Sequence, residues 1–317
     1  MGTHWGSALS PRSSDAETIA DLWWLMVGLG AVAFAVFAVG LFTGLRRASA
    51  EGNDDRRRLG RQEPTSVSRA WILGGGVALP TVLIAVVLVA TVVALQDVAA
   101  SDDEAEMSVE VIGHRFWWEV RYPDHGVVTA NEVHIPAETE VEIVLRSADV
   151  IHSFWVPAVA GKMDLLPERT NRLVIAAEPG RYRGSCAEFC GVSHANMDFL
   201  LVAHGEGGFD TWLAEQAAPA REPSTAAAAR GAELFVEAGC ASCHTVAGTD
   251  ATGEKAPDLT HFASRDSILG GAADPTAPDL VDWITDPHTV KPGTDMPAAD
   301  LSEDQIDDLV AYLGDLR

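Results

Sequence analysis

The run Cys186-Ala-Glu-Phe-Cys190-Gly-Val-Ser-His194-Ala-Asn-Met197 decides how the middle of this chain is read. It holds two thiols, an imidazole and a thioether, and the upstream segment Val150-Ile-His152-Ser-Phe-Trp155 adds a second imidazole. Sulfur and imidazole nitrogen are soft donors that favour copper over magnesium or calcium. A mononuclear blue-copper site uses two His, one Cys and a weakly bound Met. This set has one thiolate more, and two thiolates can bridge two copper ions. A pair that shares one electron changes geometry little on reduction, which suits fast electron transfer. By themselves the residues also leave open a Cys186–Cys190 disulfide, a Cys2His2 zinc site and a mononuclear copper site.

The flanks of this run are rich in short β-type segments: Ser108–Ile112, Val127–Ile135, Glu140–Arg146, Arg172–Ala177 and Phe199–Ala203. Turn residues at Pro123–Asp124, Pro136 and Pro179–Gly180 separate them. Short strands at such spacing indicate an all-β sandwich or barrel, and residues 101–217 are assigned to that domain. Phe209–Ala217 reads as a short closing helix. A Pro/Ala linker over 218–229, with Pro219 and Pro223, follows it.

Further along, Cys240-Ala-Ser-Cys243-His244 is a C-x-x-C-H motif. The two cysteines add across haem vinyl groups, and the adjoining His becomes an axial iron ligand. Met296, in Lys291-Pro-Gly-Thr-Asp-Met296-Pro297, is the best sixth ligand, with His261 and His288 as competitors. A Met ligand raises the haem potential. Ala226–Ala238 and Leu301–Leu316 read as helices, the second with Ser302 as N-cap. Residues 230–317 therefore form a small α-domain whose core a bound cofactor would complete. The chain has four cysteines, and the two motifs use them all.

Toward the N-terminus, residues 1–100 carry two uncharged apolar runs, about 22–45 and 70–96. At about 1.5 Å per residue each spans the roughly 30 Å hydrocarbon core of a bilayer. Trp23, Trp24 and Trp71 suit its interfaces. Arg46, Arg47, Arg56, Arg57, Arg58, Arg61 and Arg69 lie between the runs, while Asp97, Asp102, Asp103, Glu104 and Glu106 follow the second. The positive-inside rule then puts the loop in the cytoplasm and both termini outside. No cleaved signal peptide is expected. A net charge of −24 argues against nucleic acid as a partner.

With these residues in view, the chain resembles the cytochrome c oxidase subunit II family, in the form fused to a C-terminal cytochrome c domain (caa3-type haem–copper oxidases). The C-x-E-x-C-x3-H-x2-M run with its upstream His carries the resemblance. It implies a two-helix transmembrane hairpin, an all-β cupredoxin-like Greek-key barrel and an all-α class I cytochrome c domain. It further implies that Cys186 and Cys190 bridge two coppers, that His152 and His194 each cap one, and that Met197 is a weak thioether ligand. Glu188 would ligate through its backbone carbonyl, and its side chain would reach a magnesium ion shared with subunit I. The segment Val111-Ile-Gly-His-Arg-Phe-Trp-Trp-Glu-Val-Arg-Tyr122 resembles the aromatic patch where the family receives electrons. Phe116 stands where the family often has Trp, followed by Trp117 and Trp118. Pro157, Lys162, Met163 and Asp164 also match, and Asp164 would contact subunit I. Ala256-Pro-Asp-Leu-Thr-His-Phe-Ala-Ser-Arg265 resembles cytochrome domains fused to these subunits, with Pro257 accepting a hydrogen bond from His244. Trp283 and Leu316 are expected near the haem.

The function so implied is electron relay. A donor reduces haem c, haem c reduces the copper pair, and the electron passes to subunit I, where dioxygen becomes water with proton pumping. Implied partners are subunit I, subunit III, membrane lipid, and a soluble or membrane-bound cytochrome c or bc1-type complex as donor. The implied location is a bacterial plasma membrane. A subunit II-like component of a copper-containing nitric oxide reductase is the alternative. The fused haem domain raises the effective donor concentration at copper. The linker suggests some mobility, and the acidic haem domain is expected to dock a basic donor or to face basic residues of the copper domain such as Arg115 and Arg121.

Overall fold

The computed structural model describes residues 7–50, 66–100, 105–270 and 277–317. It divides into two compact units, one spanning Glu17–Ala100, the other joining Ser101–Arg317 with the start of the chain.

In the first unit, α1 (Ser14–Ala50) is followed by α2 (Ser66–Leu73) and α3 (Leu79–Ala100). Between α2 and α3, Gly74–Ala78 makes a π-helical turn, with the Leu79 N–H bonded to the Gly74 carbonyl. Three consecutive glycines permit this, and Pro80 favours it because it has no N–H to give the preceding turn. The segments apolar enough to cross a membrane are Ser14–Arg46 and Arg69–Val98. Both are longer than the expected 22–45 and 70–96, because helix continues through the polar flanks once the apolar segment has nucleated it. Phe34, Phe37, Ile84 and Val89 are largely exposed, as lipid-facing side chains are. The loop arginines 56, 57, 58 and 61 and the acidic residues 102, 103 and 104 lie outside the described residues.

In the second unit, ten strands form two five-stranded sheets. The strands are β1 (Met107–His114), β2 (Trp117–Tyr122), β3 (Val127–Ala130), β4 (Glu132–Pro136), β5 (Val141–Ser147), β6 (His152–Trp155), β7 (Met163–Leu165), β8 (Asn171–Ile175), β9 (Gly180–Cys186) and β10 (Asp198–His204). The sheet orders are β3-β2-β1-β5-β8 and β4-β10-β9-β6-β7. The β1–β5 and β4–β10 pairs are parallel and the rest antiparallel. This is the expected cupredoxin-like fold. Along β1 and β5 every second side chain is buried, the period of a strand with one face on a core. Val109, Val111, Val120, Ile143 and Leu145 fill that core together with Tyr122, Tyr182 and Trp118.

The expected single run Val127–Ile135 is two strands. Asn131 adopts φ 62° between them, a conformation that Asn tolerates better than most residues. The break lets β3 join one sheet and β4 the other, and the Asn131 side-chain oxygen accepts the Trp118 N–H.

After α4 (Gly208–Gln216) comes the α-domain: α5 (Ala226–Glu237), α6 (Ala277–Thr285), α7 (Pro287–Val290) and α8 (Glu303–Asp315). α5 starts inside the linker expected over 218–229. The Thr225 hydroxyl caps it by accepting the Ala228 N–H, and the alanine run that follows is strongly helical. Helices α5 and α8 cross at Gly231, where a Cβ would come within 2.0 Å of the Asp308 carbonyl oxygen. A capping box between Ser302 and Gln305 fixes the start of α8. Phe235, Leu280, Ile284, Leu309, Tyr312 and the fully buried Leu316 make the core, with Trp283 at its margin.

Candidate functional site

The soft-donor residues converge at one end of the β-domain. His152 opens β6, Cys186 ends β9, and the loop from Cys186 to Met197 returns to β10. The Cys186 and Cys190 sulfurs are 3.9 Å apart. His152 Nδ1 lies 3.9 Å from Cys186 Sγ, and His194 Nδ1 lies 3.6 Å from Cys190 Sγ. Met197 Sδ is 3.7 Å from Cys190 Sγ, and the Glu188 carbonyl oxygen is 3.2 Å from Cys186 Sγ. All six expected copper residues thus surround one small volume. The donor atoms of His152, Cys186 and Cys190 fall within 4.8 Å of one another, and all three residues are buried.

This geometry excludes one of the readings the sequence left open and bears on a second. Both cysteines are free thiols, far beyond the roughly 2.05 Å of a disulfide. A thioether beside the S2N2 set suits copper better than zinc. The sulfurs are chemically primed: the hydrogen bond with Cys190 brings Cys186 down to about 3 against the opposing effect of burial. The Cys186 thiolate and burial in turn push Cys190 up, so the pair shares a proton that metal would displace.

Three supports escaped the sequence reading. Asp149 accepts the His152 Nε2–H at 2.8 Å, which fixes the tautomer and leaves Nδ1 facing the sulfurs. Burial works against the Asp149 carboxylate, but hydrogen bonds from His152 and from the Val150 and Arg115 N–H groups hold it down to about 2. Gly113 lies under the His152 ring, where a Cβ would come within 2.7 Å of Cδ2. Trp118 donates its indole N–H to the Met197 carbonyl at 3.3 Å and packs edge-on against Phe154 and Phe199. Trp118 stood out in the sequence as part of the aromatic segment, but neither its support of Met197 nor the roles of Asp149 and Gly113 are encoded by local spacing.

The expected electron-input residues separate. Phe116 is 3% exposed and Trp118 fully buried, while Trp117 stacks on His114 with ring centroids 4.2 Å apart. Among the described residues, Arg115 pairs with Asp149 and Arg121 with Glu119, while Arg181 pairs with Asp266 of the haem domain.

In the α-domain, Cys240 opens a 3-10 turn after α5 and Cys243 closes it. The His244 Nδ1–H donates to the Pro257 carbonyl at 2.7 Å, as expected, leaving Nε2 as the free ligand atom. Burial pushes His244 below its ordinary range, with the Pro257 bond opposing, so the ring stays neutral as ligation requires. Gly253 lies against the Cys243 backbone, where a Cβ would approach to 2.5 Å. Met296 is half-buried after α7. Of its competitors, His261 has its Nε2 engaged by the Ala218 carbonyl at 2.9 Å, and His288 is exposed.

Comparison with known proteins gives two family matches. Residues 126–203 match cytochrome C oxidase subunit II, periplasmic domain, and residues 228–317 match cytochrome c. The chain is 34% identical over 319 aligned residues to cytochrome c oxidase subunit 2 of Alkalihalophilus pseudofirmus, covering 98% of this chain and 91% of that one. It is 34% identical to cytochrome c oxidase subunit 2 of Bacillus sp. (strain PS3), covering 75% of this chain and 72% of that one. Among solved structures, it is similar to the periplasmic domain of subunit II of cytochrome oxidase of Bradyrhizobium japonicum. That match has 26% identity and a TM-score of 0.35, over 36% of this chain and 94% of that one.

Proposed function

Because the chain belongs to the cytochrome c oxidase subunit 2 family, we propose that it relays electrons through haem c and a dinuclear copper centre to subunit I. There dioxygen is reduced to water, coupled to proton pumping. The chain is part of a haem–copper oxidase, and it carries a copper domain and a haem c domain on a membrane-embedded stem. When bound, the copper pair and the haem each take up and release one electron at a time.

The residues of this chain hold and tune those groups. Cys186, Cys190, His152, His194 and Met197, with the Glu188 backbone carbonyl, would hold the two coppers. Cys240 and Cys243 would attach the haem, and His244 and Met296 would hold its iron. Asp149 and Pro257 each orient a ligand imidazole by accepting its other N–H. Trp118 pins the backbone of Met197. The Glu188 carboxylate is assigned to a magnesium ion shared with subunit I. Both termini are assigned to the outer face, with subunit III and a cytochrome c or bc1-type donor as further partners.

The convergence of all six copper residues is the observation that supports this reading most. Assembled oxidase with Cys186→Ser should lose oxygen consumption from an external donor while keeping covalent haem. Full oxygen uptake without the thiolate would refute the relay. Turnover with nitric oxide in place of dioxygen would refute the oxygen chemistry assigned to subunit I.

A further inference from the structure

The α-domain meets the β-domain along one face, and polar contacts concentrate at its two ends. At one end sits Glu132, 2% exposed, with both carboxylate oxygens engaged. Its Oε1 accepts the backbone N–H groups of Asp266 and Ser267 at 2.7 and 3.2 Å. Its Oε2 meets His134 Nε2 at 3.2 Å. A buried carboxylate without such donors would be costly, so undocking the α-domain would leave Glu132 with one partner. The Arg181–Asp266 ion pair closes over the same end.

At the other end, Ser193 is 1% exposed and donates its hydroxyl to the Pro292 carbonyl at 2.6 Å. The Asp198 N–H donates to the Gly270 carbonyl at 2.7 Å. The buried Lys291 donates to the Leu269 carbonyl at 2.7 Å and so ties two α-domain segments together at this edge. Gly293 has φ 78°, and a Cβ there would come within 2.7 Å of Val192 and 3.5 Å of Phe116. Glycine thus lets the segment before Met296 lie directly on the copper loop and over Phe116.

Ser193 adjoins His194, and Pro292 opens the short run that ends at Met296. One hydrogen bond therefore joins the strand of chain carrying a copper ligand to the strand of chain carrying a haem ligand. Electronic coupling decays more slowly through covalent and hydrogen bonds than across an unbonded gap. We propose that the haem domain is a fixed electron-input head, clamped by Glu132 and Ser193, with the Ser193–Pro292 hydrogen bond as the crossing point to copper. The crossing rests on the relay reading above, and the clamp stands without it. Ser193 and Glu132 are positioning residues. An external donor meets the haem domain and not the covered Phe116.

Two measurements on the full-length protein test this. Hydrogen exchange reads the clamp directly: the amides of Asp266, Ser267 and Asp198 should exchange slowly, and Glu132→Ala should accelerate the first two. Exchange at those amides as fast as in an exposed loop would overturn the clamp. Flash reduction of the haem, followed at the copper band, reads the crossing. Ser193→Ala should slow the transfer several-fold with haem and copper spectra and potentials unchanged, and Ser193→Thr should restore much of it. Gly293→Ala, which lifts the segment off Val192, should slow it as well. An unchanged rate in Ser193→Ala would overturn the crossing while leaving the relay intact. No haem-to-copper transfer in the unsubstituted protein would overturn the relay and the crossing together.

Discussion

The β-domain and the α-domain present their candidate redox ligands in opposite ways. The β-domain builds its ligand cage from the fold itself: His152 and Met197 are fully buried, and Cys186 and Cys190 nearly so. They complete the core around Trp118, Phe154 and Phe199. In the α-domain the attachment cysteines are only half-buried, and the core rests mainly on the crossing of α5 and α8. One site is a cluster of donors buried within a β-core, and the other is a small helical fold whose attachment cysteines stay half-buried.

The sharpest way to break the contrast is to withhold each group. Replacing both Cys240 and Cys243 by Ser should cost the α-domain its cooperative fold and leave the β-domain intact. Removing copper by chelation should leave both domains folded. Domain-resolved hydrogen exchange distinguishes the cases, and a folded haem-free α-domain would refute the contrast.

Next in size is the helix crossing. Gly231→Ala sets a methyl group against the Asp308 carbonyl. It should destabilise the α-domain by about 1–3 kcal/mol or more, the usual range for overpacking. Thermal unfolding followed at the haem band, with the copper band unmoved, checks it.

Within the β-domain, Asp149→Ala should weaken copper binding about 10–100-fold, the range for losing a partner that orients a metal-bound imidazole. Competition with a chelator of known affinity measures this, and unchanged affinity would show that Gly113 and the β6 backbone orient His152 unaided.

The smallest effect concerns acid. Burial, with His134 and Arg181 nearby, depresses His204 from 6.5 to about 4, and burial likewise lowers His134 against the pull of Glu132. The unfolded chain therefore takes up these protons before the folded one does. The stability linked to neutral His204 is full above pH 6.5 and is lost as pH falls toward about 4. The midpoint of β-domain unfolding should drop over that window, and His204→Leu should flatten the drop. A parallel curve for the variant would place the acid sensitivity elsewhere.

How much of this was legible in sequence follows the same division. The expected copper residues lie within one short run and an upstream His, and the expected haem ligands within one motif and a Met-Pro pair, so local spacing points to them. The membrane helices were legible because lipid demands continuous apolar sequence. The split of Val127–Ile135 was not, since it depends on a left-handed Asn131 and on which sheet each half joins. The aromatic segment Val111–Tyr122 contains β2 at Trp117–Tyr122, with Trp118 facing the core. The docking of the haem domain was hidden as well. A Pro/Ala linker indicated mobility, whereas the contacts of Glu132, Arg181 and Ser193 join residues far apart in sequence, and no local pattern encodes them.

The central claim is that six residues of the β-domain hold a copper pair and that haem c in the same chain feeds it. The most direct test is the optical spectrum of the purified protein, oxidised and dithionite-reduced, with copper counted per haem. The account requires near-infrared absorption of a mixed-valence copper pair, sharp reduced c-type bands and two coppers per haem. Haem with a single copper, or with none, would contradict it.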